Sequence, residues 1–335
     1  MNLKGNLMMK QTHFPHNPEL NRALLAVSDL MAARIKTKDG QLESALQKMA
    51  TNGGKFLRPA FFWLFASLTG QPQPEQRDRL IKLATSIEVL HMATLIHDDI
   101  IDDSPERRGR ISIQAEFGKD VAVYSGDYLF TIFFDLITTT TATTPFLTTN
   151  AQIMHRILSG ELGQMADRFK QDQTFLSYLR NINGKTAALF SLAASEGAYF
   201  GGADQRTVAL AKRIGQNVGI AFQILDDILD YSSGDQLNKP VLEDLATGVY
   251  SLPLLLAIQA NSAAFKPLLD KGRLMSEADM QLVRQLVLEN GGVEQARQLA
   301  TAFTKKAEVE INQLPAGSSR RALTKLCQRL LKRSS

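Results

Sequence analysis

Four aspartates fall within six residues in the stretch Leu95-Ile96-His97-Asp98-Asp99-Ile100-Ile101-Asp102-Asp103-Ser104-Pro105, at the end of a long apolar run. On a helix, Asp98 and Asp102 stand one turn apart on one face, with Asp99 beside them. Pro105 disfavours the α conformation at Ser104, so the helix is expected to stop near Asp103. The carboxylates then crowd a last turn where the helix dipole is already negative, and a cation is required nearby. The chain repeats the device in Gln223-Ile224-Leu225-Asp226-Asp227-Ile228-Leu229-Asp230, ahead of the breaker run Ser232-Ser233-Gly234. One such cluster is compatible with a solvated helix end. Two, each following sequence of buried type, point to two carboxylate walls around shared metal ions.

Hard oxygen ligands suit Mg²⁺, which keeps waters and is usually completed by substrate phosphates. A metal site made only of helix-end aspartates leaves the remaining oxygens to a phosphate or diphosphate ester. Such a substrate needs cations. Gly54-Lys55-Phe56-Leu57-Arg58-Pro59 offers Lys55 and Arg58 one turn apart, beside a glycine turn whose N–H groups can face an anion. Arg107-Arg108-Gly109 follows the first cluster, and Lys185 and Lys239 are further candidates. Any one of these reads as a surface charge; flanking two acidic clusters, they read as an assembled anion site. His91 lies two helical turns before Asp98, and spacing alone leaves it between a core histidine and a ligand. The chain has no Gly-x-Ser-x-Gly, Walker loop or Cys/His zinc spacing. The chemistry that fits is ionisation of a diphosphate leaving group, with metals and arginines stabilising the departing charge.

The elements that carry these residues read as helices. Residues 1–18 are expected to be a flexible arm, and 19–335 a single all-α domain. Two amphipathic helices are expected over 19–50, and another from about Pro59 to Gly70. The helix over 75–103 is apolar nearly all round from Ile81 to Ile96 and should be buried. A polar loop over 104–110 and a helix over 112–137 follow. The threonine tract, Thr138 to Thr144, reads as a loop because threonine is a poor helix former. Helices are expected over 147–170, 172–200 and 204–232, then a loop over 235–245, a helix from Leu252 to Ala260 and three shorter helices over 263–333. No strand alternation is visible.

Composition sets the remaining bounds. The single cysteine, Cys327, rules out an internal disulfide and suits a reducing cytoplasm. No apolar run is expected to reach the roughly 20 residues that span a bilayer, and Met1 to Lys10 has no apolar signal-peptide core. The net charge of +4 fits an anionic small substrate or a membrane surface as easily as nucleic acid, and by itself decides nothing. The basic residues of 320–333 are spaced along an amphipathic helix, without the clustering and exposed aromatics of a nucleic-acid-binding bundle; no nucleic acid is expected.

Taken together, the motifs resemble those of the polyprenyl synthetase family of trans-prenyltransferases, from about Gly54 to Arg333. Gly54-Lys55-x-x-Arg58-Pro59 resembles its G-K-x-x-R-P. Asp98-Asp99-x-x-Asp102 with Arg107-Arg108-Gly109 resembles its first aspartate-rich motif, Lys185-Thr186 its K-T pair, and Phe222-Gln223-x-x-Asp226-Asp227-x-x-Asp230 its second aspartate-rich motif. The resemblance implies an all-α bundle around a deep central cavity, usually a homodimer. It implies that isopentenyl diphosphate is held by Lys55, Arg58, His91 and Arg108. The allylic diphosphate would be held by three Mg²⁺ ions on Asp98, Asp99, Asp102, Asp226, Asp227 and Asp230, with Arg107, Lys185 and Lys239. Thr186 and Gln223 would face the developing carbocation. The chain departs from the family at Asn238-Lys239, where Gly-Lys is usual. It departs again at Gly248-Val249-Tyr250-Ser251-Leu252-Pro253, where the G-K-x-T-x-P motif has a lysine in place of Val249.

By the same resemblance, the residues upstream of Asp98 line the floor of the hydrocarbon tunnel. Leu90, Ala93 and Thr94 are not aromatic, which implies an open tunnel and a medium-to-long product. Tyr124 to Phe130 and Arg180 to Thr186 resemble the catalytic subunits of bacterial hexaprenyl and heptaprenyl synthases. Geranylgeranyl diphosphate is the alternative product, and a small non-catalytic partner subunit and membrane-surface contact at product release are compatible with this group. A class I terpene cyclase would need neither the second complete cluster nor Lys55 and Arg58.

Overall fold

The apolar segment after Pro72 forms a 28-residue helix, α4 (Pro74–Ile101). Pro74 suits the first helical turn, where a missing N–H costs nothing, and Gln73 and Gln76 cap each other's backbone. The computed structural model describes residues 14, 17–52, 54–107, 109–232 and 242–331. Before α4 come α1 (Pro18–Arg34), α2 (Gly40–Asn52) and α3 (Leu57–Ala66). After it come the strands β1 (Glu106–Arg107) and β2 (Arg110–Ile111), then α5 (Ile113–Phe117), α6 (Lys119–Thr141) and α7 (Phe146–Ala166). One continuous helical run follows: α8 (Phe175–Ile182), a π turn (Asn183–Ala187) and α9 (Ala188–Phe200). The rest is α10 (Gln205–Ser232), α11 (Glu243–Thr247), α12 (Leu252–Leu269), α13 (Glu277–Glu289), α14 (Gly292–Ile311) and α15 (Ser318–Leu331). The fold class is all-α, as expected.

The chain divides into two compact units, Met1–Asn150 with Ala193–Val208, and Ala151–Leu192 with Ala209–Ser335. In the first, α4 packs on α6, α1 and α3. Leu80, Leu83, Ile87 and Leu90 are buried along it, each worth about 1.5–3 kcal/mol of hydrophobic stabilisation. In the second, α12 packs on α14, α13 and α8, over a core that includes Tyr178, Ile224, Ile228, Leu252 and Phe265.

Several expectations are corrected. The arm expected over 1–18 stops short of residue 18: α1 already begins at Pro18, capped by the Asn17 side chain, which accepts from the Leu20 N–H; residues 1–13, 15 and 16 lie outside the described residues. The polar loop after α4 contains a two-stranded antiparallel hairpin, too short to show alternation. The helix expected over 112–137 is broken at Gly118, whose φ of +93° suits glycine, and resumes as α6. The threonine tract is helical to Thr141. Its hydroxyls donate back one turn, Thr138 to the Phe134 carbonyl at 2.8 Å and Thr141 to that of Ile137 at 2.7 Å. Arg79 Nε fixes the end of the helix by donating to the Thr140 carbonyl at 2.9 Å, so tertiary partners override a weak local propensity. The segment 243–247 of the expected loop forms α11, and 233–241 lie outside the described residues. Against the expectation that no apolar run is long enough, α4, α6 and α12 could each cross a membrane by length and composition; of their most apolar stretches 67%, 44% and 50% are buried within the fold.

Candidate active site

The first aspartate cluster ends α4 in a Schellman motif. Asp103 takes the left-handed conformation at φ +51°, which aspartate tolerates better than most residues. The Ser104 N–H donates to the Asp99 carbonyl at 2.9 Å and that of Asp103 to the Ile100 carbonyl at 3.4 Å. The chain then turns back. Pro105 and Ser112 are joined by a backbone hydrogen bond of 3.0 Å, and the Ser104 carbonyl accepts from Ser112 Oγ at 2.7 Å and Gln114 Nε2 at 2.8 Å. The hairpin so pinned returns Arg107 to the helix end, where its Nε donates to Asp99 at 2.6 Å and a second guanidinium nitrogen pairs with the same oxygen. Arg107 is thus a cation that the crowded carboxylates require. Asp99 is buried, Asp98 half-buried and Asp102 exposed. Burial raises the Asp99 pKa; Arg107 opposes this, and Asp98 and Asp102 add to it. The Arg107 guanidinium is held above its usual value: burial would lower it, but Asp99, Asp98 and Asp102 outweigh burial.

Gly54, Lys55 and Arg58 open α3, each half-buried, around Phe56, whose φ of +46° turns the chain into the helix. Gly54 and His91 line one small cavity with Glu88 and Met92, so the structure brings the glycine turn and the α4 histidine together. A larger cavity of about 760 Å³ is bordered by Lys48, Asp99, Arg107, Arg110 and Ile111. Lys48 and Arg110 had no motif to single them out. Arg108 and Lys239 lie outside the described residues. Leu90 and Ala93 are buried on α4, and Thr94 is half-buried with its hydroxyl donating to the His91 carbonyl at 2.8 Å.

The second cluster ends α10. Asp226 is exposed, Asp227 buried and Asp230 half-buried. Asp227 accepts three protein hydrogen bonds: from Tyr178 Oη at 2.7 Å, Gln223 Nε2 at 2.9 Å and the Leu252 N–H at 3.2 Å. Burial nevertheless pushes its pKa up to about 6, against those donors and helped by the Asp226 charge. Asp230 accepts the Leu242 N–H at 2.8 Å and is likewise pushed to about 6, by burial and by Glu243 and Asp226. Its other carboxylate oxygen is buried without a protein partner among the described residues. Sequence reasoning missed Asp244, on α11. Its pKa is well raised by burial and by Asp227 and Asp230, with Lys185 opposing, so it belongs electrostatically to this cluster.

Lys185 and Thr186 sit in the π turn, an irregularity found often at functional sites. Lys185 Nζ lies 2.9 Å from Glu161 Oε2 and 3.1 Å from Gln164 Oε1, both on α7. Thr186 donates to Gln223 Oε1 at 2.7 Å, and the Gln223 amide passes the chain on to Asp227. Tyr178, Glu161 and Gln164 were also missed, since each acts through a tertiary contact. Val249 follows Gly248, at φ +83°, against whose Cα the Phe169 ring packs; its N–H donates to the Asp244 carbonyl at 2.8 Å.

Among the described residues no three carboxylates or histidines converge as a preformed metal cage. Each cluster taken by itself has donors that fit Mg²⁺ all the same: an exposed aspartate at each helix end and, on Asp230, a buried carboxylate oxygen without a protein partner among the described residues, with further oxygens expected from a substrate.

The polyprenyl synthetase family pattern matches residues 39–288. Heptaprenyl diphosphate synthase component 2 of Geobacillus stearothermophilus is 33% identical, over 94% of this chain and 97% of its own. The crystal structure of geranylgeranyl pyrophosphate synthase from Lactobacillus brevis superposes with a TM-score of 0.89 at 42% identity, covering 94% of this chain and 98% of that one. A polyprenyl synthase from Caulobacter crescentus, complexed with calcium and isoprenyl diphosphate, superposes with a TM-score of 0.86 at 31% identity, covering 94% and 96%. With both aspartate clusters, the G-K-x-x-R-P turn and the K-T pair in place, the chain belongs to the polyprenyl synthetase family and is a trans-prenyl diphosphate synthase, a prenyltransferase.

Proposed function

We propose that this chain condenses isopentenyl diphosphate with an allylic diphosphate to build a medium-to-long all-trans polyprenyl diphosphate, using Mg²⁺. The observation that carries this is the parallel construction of the two clusters: a buried middle aspartate clamped by protein donors, with more exposed carboxylates beside it. Asp99 and Asp227 therefore serve as frame. Asp98, Asp102, Asp226 and Asp230 would hold the metal, three ions when diphosphate is present. Bound Mg²⁺ supplies charge neutralisation at the diphosphate oxygens. The complex of a family relative with calcium and isoprenyl diphosphate supports a divalent cation. Lys55, Arg58, His91 and Arg108 would bind isopentenyl diphosphate; Arg107, Lys185 and Lys239 would bind the allylic diphosphate and stabilise it as the C–O bond breaks and the electron pair leaves with it. Thr186 and Gln223, aligned by their mutual hydrogen bond, would face the allylic cation. The isopentenyl double bond attacks that cation to form the new C–C bond, and the cation this leaves on the isopentenyl unit gives a proton from its neighbouring carbon to the released diphosphate, restoring a double bond.

The product length rests on Leu90, Ala93 and Thr94, where no aromatic ring stands, and on the relative named as a heptaprenyl synthase component. The words component 2 in that name support a partner subunit, which in this reading is small and non-catalytic and joins a homodimer of this chain. The chain would work in the cytoplasm, with membrane-surface contact at product release. A geranylgeranyl product is the second reading, favoured by the 42% identity to the Lactobacillus brevis enzyme. Chromatography of the products formed by purified protein with Mg²⁺, isopentenyl diphosphate and farnesyl diphosphate decides between them. Chains beyond C20 are expected, and full activity in excess chelator would defeat the metal mechanism. Ala93→Tyr should shorten the product to C15 or C20 while the first condensation survives, because overpacking a filled path costs about 1–3 kcal/mol; an unchanged distribution removes Ala93 from the tunnel wall.

A further inference from the structure

The face of α7 that carries Gly160, Glu161, Gly163 and Gln164 lies against α8 and the π turn. Gly160 and Gly184 meet backbone to backbone. A Cβ on Gly160 would stand 2.7 Å from the Lys185 nitrogen and 2.9 Å from the Asn181 carbonyl oxygen, and one on Gly184 would stand 2.6 Å from the Arg156 carbonyl oxygen. Backbone atoms cannot swing aside, so only glycine permits this approach. A Cβ on Gly163 would instead meet the tip of the Asn181 side chain, at 2.6 Å, which can rotate. The close crossing brings Glu161 and Gln164, three residues apart and so neighbours on the helix surface, within 2.9 and 3.1 Å of Lys185 Nζ. An ammonium has three tetrahedral donor directions. Fixing two of them fixes the third.

We propose that Glu161 and Gln164 are positioning residues for Lys185, and that the Gly160–Gly184 crossing is the device that delivers them. This rests on the reading above that Lys185 serves the allylic diphosphate. The test is steady-state kinetics with each substrate varied in turn, on Glu161→Ala, Glu161→Gln, Lys185→Ala and the double variant. Misaiming a charged contact is expected to raise the allylic KM of Glu161→Ala about tenfold, with the isopentenyl diphosphate KM unchanged. Glu161→Gln, which keeps a neutral acceptor, should recover part of the loss. The double variant should be no worse than Lys185→Ala, because two residues acting as one unit are not additive. If Lys185→Ala raises the allylic KM and Glu161→Ala does not, or the effects add, the positioning role falls while the reading of Lys185 stands. If Lys185→Ala leaves the allylic KM unchanged, the reading itself falls. Gly160→Ala should impair allylic binding more than Gly163→Ala; equal effects at equal thermal stability would overturn the crossing as the cause.

Discussion

The two aspartate clusters solve one problem in opposite ways. Each must bury a carboxylate at the negative end of a helix. At the end of α4 the answer is a full positive charge: Arg107, returned by the hairpin, pairs with Asp99. At the end of α10 the answer is three neutral donors, Tyr178, Gln223 and the Leu252 N–H, on Asp227. Burial raises both carboxyls against their donors, and Asp227 is pushed up to about 6. The lesson is that an identical local motif does not fix its own electrostatics; the elements that come back to it do.

Four substitutions test how the two clusters differ, in falling order of expected effect on turnover. Asp226→Ala removes an exposed carboxylate from a crowded end, so the fold should survive while turnover drops about 10²-fold or more. Rates measured alongside the circular dichroism melt would settle this, and an active variant would strike the carboxylate from the metal set. Arg107→Ala should lower turnover less and stability more. It strands Asp99 without its cation, at about 3 kcal/mol, the low end for a broken buried pair, since Arg107 is itself 32% exposed. Urea titration would show it, and a loss no larger than that of Tyr178→Phe would erase the distinction between the two clusters.

Tyr178→Phe deletes one of three neutral donors, so about 1 kcal/mol of stability and a small change in turnover are expected. A collapse of activity would mean that the tyrosine does more than hold Asp227. Glu196 gives a third solution. It is fully buried, its pKa pushed up to about 8 by burial, against the Asn150 hydrogen bond and the Arg79 charge. It is therefore protonated in the fold and ionised in the unfolded chain at neutral pH. Stability should fall as pH rises from about 4.5 to about 8 and level off above. Glu196→Gln should flatten that slope without touching turnover; parallel melting curves for variant and wild type would contradict it.

Much of this was legible in the sequence, for identifiable reasons. The clusters announce themselves because the 3.6-residue repeat puts Asp98 beside Asp102 and Asp226 beside Asp230, and because breakers follow. Lys185-Thr186 and the Gly54 turn carry fixed spacings. What was not legible is tertiary. Two-residue strands leave no alternation, so the hairpin that delivers Arg107 was read as a loop. The threonines of α6 were judged on propensity, and Arg79 with the backbone-directed hydroxyls overrode it. Tyr178, Glu161, Gln164 and Asp244 carry no local mark, and only the folded chain reveals what they touch.

The Schellman turn and hairpin after α4 also bear on the order in which the protein folds. The Asp99–Arg107 bond joins residues eight apart in sequence, whereas Asp227 waits for Tyr178, 49 residues upstream, and Leu252, 25 downstream. Loop-closure entropy grows with the length closed, so short-range contacts form readily and long-range ones slow the chain. The first aspartate cluster can organise as soon as a single short segment leaves solvent, and the second only when distant parts of its unit have met. In pulse-labelled hydrogen exchange, the Ser104 and Ser112 amides should gain protection before that of Leu252; the enzyme would acquire its second set of carboxylates, and with it any activity, as a late event in folding.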